Sequence, residues 1–95
     1  MKYPFEEEKI SEKEIIRTFS INENSEEFNW HRDVQERLIK VLDGEGWMVQ
    51  IDNFVPMRLM NGMEFTIPKF YWHRVIKPNP EIVKKDLKVK ITFVD

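Results

Sequence analysis

The sequence predicts an all-β fold, a small barrel or sandwich of about eight short strands. Two observations predict it. Short runs rich in β-branched and aromatic residues recur along the chain, and clusters of Gly, Asn, Asp and Pro separate them. A helix signal is confined to residues 11–14, where the cap-like Ser11 precedes acidic residues.

Taken in order, residues 14–21 form the first expected strand and stop at the polar cluster Asn22-Glu23-Asn24-Ser25. Residues 28–32 read as a second strand and 37–42 as a third. The third ends at Asp43-Gly44-Glu45-Gly46, whose glycines suit a tight hairpin. Residues 47–51 return from that turn. Residues 54–60 form a fifth strand, which Pro56 assigns to an edge or a bulge. Asn61-Gly62 is a strong hairpin signal, with 63–67 alternating behind it. Residues 71–76 are stopped by Pro78-Asn79-Pro80, and 87–93 close the series with strict apolar and polar alternation.

Length and charge narrow the function classes. At 95 residues the chain holds one core, so residues 1–95 are expected to be a single domain, with 1–13 a charged lead-in. The net charge of -2 lacks the basic excess of a duplex nucleic-acid binder. No apolar run approaches the ~20 residues that span a bilayer, and the N-terminal stretch through Glu6-Glu7-Glu8 lacks signal-peptide character. The expectation is a cytoplasmic protein without nucleic-acid or membrane partners. With 0 cysteines, disulfides, thiolate metal sites and cysteine nucleophiles are excluded together.

The polar residues carry the functional signal. His31-Arg32-Asp33 is followed after three residues by Arg37, and after six more by Gly44. Gly62 is followed after five residues by Pro68, and after four more by His73. This pattern resembles the two motifs of the cupin superfamily. The first is His-x-His, three or four residues, Glu, six residues and Gly. The second is Gly, five residues, Pro-x-Gly, two residues, His, three residues and Asn. Val41-Leu42-Asp43-Gly44-Glu45-Gly46 also looks like the habitual end of the first motif. The resemblance spans about residues 28–93 and implies a small cupin-type jelly-roll barrel with a divalent metal (Fe, Mn, Zn or Ni) near its centre. The chain is similar too to short cupin-like proteins of tailed phages.

The departures limit what carries over. Asp33 stands where the second His is usual, which keeps a metal-competent side chain. Arg37 replaces the glutamate ligand, and a guanidinium cannot bind a cation. Phe70 and Lys77 replace the glycine and asparagine of the second motif. What remains is His31, Asp33 and His73, two imidazoles and a carboxylate, the donor set of the facial triad of non-haem Fe(II) oxygenases. On a strand, His31 and Asp33 would share a face. Arg37 has two readings: it grips the carboxylate or phosphate of a small-molecule substrate in a two-pronged contact, or it pairs with Asp33 in a metal-free site.

Two functions follow. One is a metal-dependent oxygenase or isomerase acting on a small anionic substrate. The other is a non-catalytic cupin that binds a small ligand or a protein partner. Trp30, as a strand neighbour of His31, should face away from the site, and Gln50 and Tyr71 read as packing residues. Leu38, Leu42, Trp72 and Ile76 fall on outward faces, which points to a two-fold homodimer unless residues 15–21 or 87–93 cover them.

Overall fold

A computed structural model describes residues 5–94. Eight strands form two antiparallel sheets: β1 (Phe5–Lys9), β2 (Glu14–Phe19), β3 (Glu36–Asp43), β4 (Met48–Ile51), β5 (Met57–Arg58), β6 (Glu64–Ile67), β7 (His73–Ile76) and β8 (Leu87–Val94). The larger sheet runs β1-β2-β8-β3-β6 and the smaller β5-β4-β7. The all-β expectation holds, in the form of a two-sheet jelly-roll sandwich.

The core lies between the sheets. Strand alternation turns Ile39 and Val41 of β3, Val89 and Ile91 of β8 and Val49 of β4 inward, where all are buried. Trp47 and Leu87 are fully buried with them, and Trp47 gives its indole N–H to the Lys85 carbonyl at 2.9 Å. That bond satisfies the one polar atom a buried tryptophan brings. The turn after β3 requires Gly44, because a Cβ there would meet Val41 Cγ1 at 2.7 Å and Leu59 Cβ at 3.0 Å. At the Asn61-Gly62 turn, Gly62 takes a φ of +86°, which L side chains rarely adopt.

Several elements differ from the sequence reading. Residues 5–9 of the charged lead-in pair with β2 in register, with Glu7 opposite Arg17. Residues 11–14 contain no helix: Ile10 N–H donates to Glu14 O across the β1–β2 hairpin. The strand expected at 28–32 is instead a 3-10 turn, Glu26–Phe28, followed by an irregular segment with one bridge from His31 to His73. Ser25 explains the turn: its Oγ accepts the Glu27 N–H at 3.1 Å, offering the backbone a local partner in place of a strand. The strand expected at 54–60 shrinks to Met57–Arg58, at the edge of its sheet as Pro56 requires.

Leu38, Leu42 and Trp72 remain exposed. β2 and β8 lie in the same sheet as β3 and so do not cover its outer face. Leu38 sits between Thr92 and Thr66 there, and Lys40 separates it from Leu42. Trp30 is exposed, with the Arg74 guanidinium 5.0 Å from its ring centre.

Candidate metal centre

His73 comes from β7, paired opposite Ile51 of β4. His31 reaches it from the irregular segment through a two-way backbone bridge, 3.0 Å and 2.8 Å. That bridge brings the two rings edge to face, with centroids 4.2 Å apart. Asp33 follows on the same segment. Its Oδ2 lies 3.3 Å from His73 Nε2 and its Oδ1 3.1 Å from Arg37 Nη2. The structure thus brings His31, Asp33, Arg37 and His73 into one polar cluster. Gln50 and Tyr71 stay outside it. Gln50 accepts from Arg74, and the Tyr71 side chain is exposed while its carbonyl holds His73.

The cluster has a member that the motif reading missed. Glu27, on the 3-10 turn, places Oε2 at 2.5 Å from His31 Nε2. Donor atoms of Glu27, His31 and His73 all lie within 4.8 Å of one another, with Asp33 beside them at His73. In the sequence only the four-residue step from Glu27 to His31 pointed to it, and a step of four is informative on a helical turn rather than on a strand. Arg17 flanks the other side, its Nη1 3.3 Å from Glu27 Oε1. Glu27, His73, Arg17 and Arg37 help line a partly open cavity of about 40 Å3 whose remaining walls are core side chains. At roughly 10–15 Å3 per water, it has room for a few waters.

Both imidazoles are oriented alike. His31 Nδ1 lies 2.8 Å from the Asn29 carbonyl and His73 Nδ1 2.9 Å from the Tyr71 carbonyl. A carbonyl only accepts, so each Nδ1 carries the proton and each neutral ring turns its Nε2 lone pair inward. There each lone pair meets a carboxylate oxygen. His31 Nε2 and Asp33 Oδ2 are buried without a hydrogen bond of good geometry. Lone pair against carboxylate is repulsive until a proton or a cation comes between them.

The titration behaviour reflects the same contacts. Burial would pull the His31 imidazole down, but the Glu27 carboxylate, the Asn29 carbonyl and Asp33 together raise it above its ordinary value. Burial would raise Glu27, yet His31, Arg17 and Arg37 hold it below the usual range. Asp33 is lowered first by its contact with His73 and then by the Arg37 charge, against burial.

Two imidazoles with two carboxylates and no thiolate form a donor set suited to Fe, Mn, Zn or Ni. The residues present therefore fit a divalent metal, and His31 Nε2 and Asp33 Oδ2 are buried atoms that a cation or a proton would satisfy.

No protein-family model and no curated protein matches the chain. Solved structures match its fold. A cupin domain from Bordetella pertussis Tohama I gives a TM-score of 0.62 at 19% identity, covering 100% of this chain and 99% of that one. An RmlC-like cupin protein from Desulfovibrio desulfuricans gives 0.63 at 21% identity, covering 98% and 82%. A structure of DMSP lyases gives 0.68 at 13% identity and covers 86% of this chain, which spans only 37% of that longer chain. The protein has the cupin fold. Among the described residues, no helix is long and apolar enough to cross a membrane.

Proposed function

We propose that this cupin-fold protein binds one divalent metal through His31 Nε2, His73 Nε2 and a carboxylate, and that it acts on a small anionic substrate as a non-haem Fe(II)- or Mn(II)-type oxygenase or isomerase. One observation carries the reading: both imidazoles spend Nδ1–H on backbone carbonyls and turn Nε2 toward carboxylates. Distance favours Glu27 as the third ligand, since its donor atom lies within 4.8 Å of those of both histidines. Asp33 then supplies a fourth donor or holds Arg37. The metal would act as a Lewis acid or redox centre for a ligand in its open positions. Arg37, with a buried and unpartnered Nε, would orient the substrate's anionic group. The small cavity leaves the rest of that substrate outside the sandwich.

A second reading is a non-catalytic, metal-free cupin. The Arg37–Asp33 ion pair favours it, because it neutralises a carboxylate that a metal would otherwise use. Elemental analysis of untagged protein separates the two, together with melting in and out of chelator. A metal that binds only the native state adds about 2.7 kcal/mol at a hundredfold excess over Kd, so chelator should lower Tm by several degrees. Metal-free protein with superimposable melting curves would favour the second reading.

A further inference from the structure

We propose that Arg17, anchored by Glu7 of the edge strand β1, is a positioning residue that holds Glu27 as a one-oxygen ligand and thereby keeps a coordination position open. The inference rests on the metal reading above. It begins at a cross-strand pair: Glu7 and Arg17 stand directly opposite one another in the β1–β2 register, so their side chains share a face. Arg17 Nε and Nη2 both reach Glu7 Oε1, at 2.8 Å and 2.5 Å. The remaining prong, Nη1, reaches Glu27 Oε1 at 3.3 Å. Arg17 is a buried residue, and a planar guanidinium gripped by two carboxylates has little freedom to turn.

The two oxygens of Glu27 are thereby divided. Oε1 faces Arg17, and Oε2 faces His31 Nε2 and the prospective metal. Phe28 packs the 3-10 turn against Phe19 and Trp47, so the backbone is anchored and the Glu27 carboxylate is the part that Arg17 has to hold. Released from Arg17, the carboxylate could rotate to place both oxygens on the metal and fill a position that a substrate requires. The segment that the sequence presents as a charged lead-in would then set the vacancy of a site beyond β2.

Co(II)-loaded protein tests this through its visible absorption and its affinity for azide, a small anion that occupies an open position. Glu7→Gln, Arg17→Gln and Arg17→Lys should each weaken azide binding about tenfold, the lower end for a lost partner of a ligand. The visible bands should dim as the coordination number rises. A lysine ammonium is a point charge on a flexible stem and lacks the planar fork that divides its donors between the two carboxylates, so it should not rescue. Charge alone predicts otherwise: losing Arg17 would weaken azide binding, whereas losing Glu7 would strengthen it. A rise in Glu7→Gln, or unchanged bands and azide affinity, overturns the proposal. The Glu7 side chain is 40% exposed, so Glu7→Gln gives the answer even if the Arg17 variants do not fold. Parent protein that takes up no Co(II) at all overturns the metal reading itself, a separate result.

Discussion

The two histidines of the cluster are close neighbours but are held in different ways. His73 is an interior residue, 3% exposed, on a strand paired to β4. The His31 side chain is 22% exposed, and its tie to the sheet is the single bridge to His73. Its carboxylate partner, Glu27, sits on a turn without buried residues, whereas Asp33 is clamped between His73 and Arg37. One half of the site, His73, is therefore set by the sandwich. The other half, on the segment before β3, is held by the packing of Phe28, by backbone bonds of His31 and Asp33 and by side-chain contacts, and the last are the ones a metal or a proton can rearrange. Segments of low local stability are where ligand-dependent ordering concentrates.

That contrast is easiest to break at the histidines themselves. His73→Ala should abolish stoichiometric metal and also weaken the metal-free protein, since it leaves a buried gap and strips the Tyr71 carbonyl of its Nδ1–H partner. The expected loss is about 1–3 kcal/mol, the range for a stranded buried polar group. His31→Ala should abolish metal equally but weaken the metal-free fold by less than about 1 kcal/mol, because its ring is partly solvated. Urea unfolding in chelator measures both, and equal losses would mean that the two halves are equally part of the fold.

The sequence did not show this difference, and what it did show varies by element for physical reasons. The interior strands were readable because two-residue alternation is a direct consequence of one face meeting the core: 87–93 and 37–42 both stand as strands. The turns at Gly44 and Gly62 were readable because few other residues fit them. The segment around His31 was misread because its order comes from Ser25 capping a turn and from one bridge to a residue 42 positions away, neither of which leaves a periodic pattern. Glu27 was missed for the same reason, since a motif spacing cannot register a side chain that arrives from a different local geometry. The strand at 5–9 was hidden because its charges suit an exposed sheet edge, where they discourage pairing with other chains.

The carboxylates sharpen the comparison with a smaller effect. If Glu27 is the third ligand, Glu27→Gln should weaken metal binding by more than about 100-fold. Asp33→Asn, at a residue that lies 3.3 Å from His73 Nε2 and pairs with Arg37, should weaken it by about 10–100-fold, the range for groups that support a ligand. Isothermal titration of the stripped proteins ranks them. The opposite ranking would return the third ligand to Asp33, the position that the motif spacing chose.

The smallest effect is the dependence of stability on pH, and it separates the two occupants that can sit between Nε2 and carboxylate. Take the chelated protein first. The folded pKa of His31 is raised, so its contribution is fully present below the unfolded value of about 6.5 and is lost as pH rises through the higher folded value. Glu27 and Asp33 are lowered, so theirs is present above the unfolded carboxylate value of about 4 and is lost as pH falls through their lower folded values. Metal-free protein should therefore be most stable in mildly acidic solution, and should lose some stability as pH rises beyond the unfolded value of about 6.5. With metal bound the alkaline loss should vanish, because the cation replaces the His31 proton. Acid should now weaken the complex, since protons compete for Nε2. Urea midpoints from pH 5 to pH 9, with and without chelator, would show the two curves diverging as pH rises. A chelated protein that is flat across that range would mean that His31 and Glu27 do not interact as their 2.5 Å approach requires. His31→Asn, which cannot take the proton, should flatten the alkaline arm and also shrink the Glu27 share of the acid arm, because His31 is the group that lowers Glu27 most.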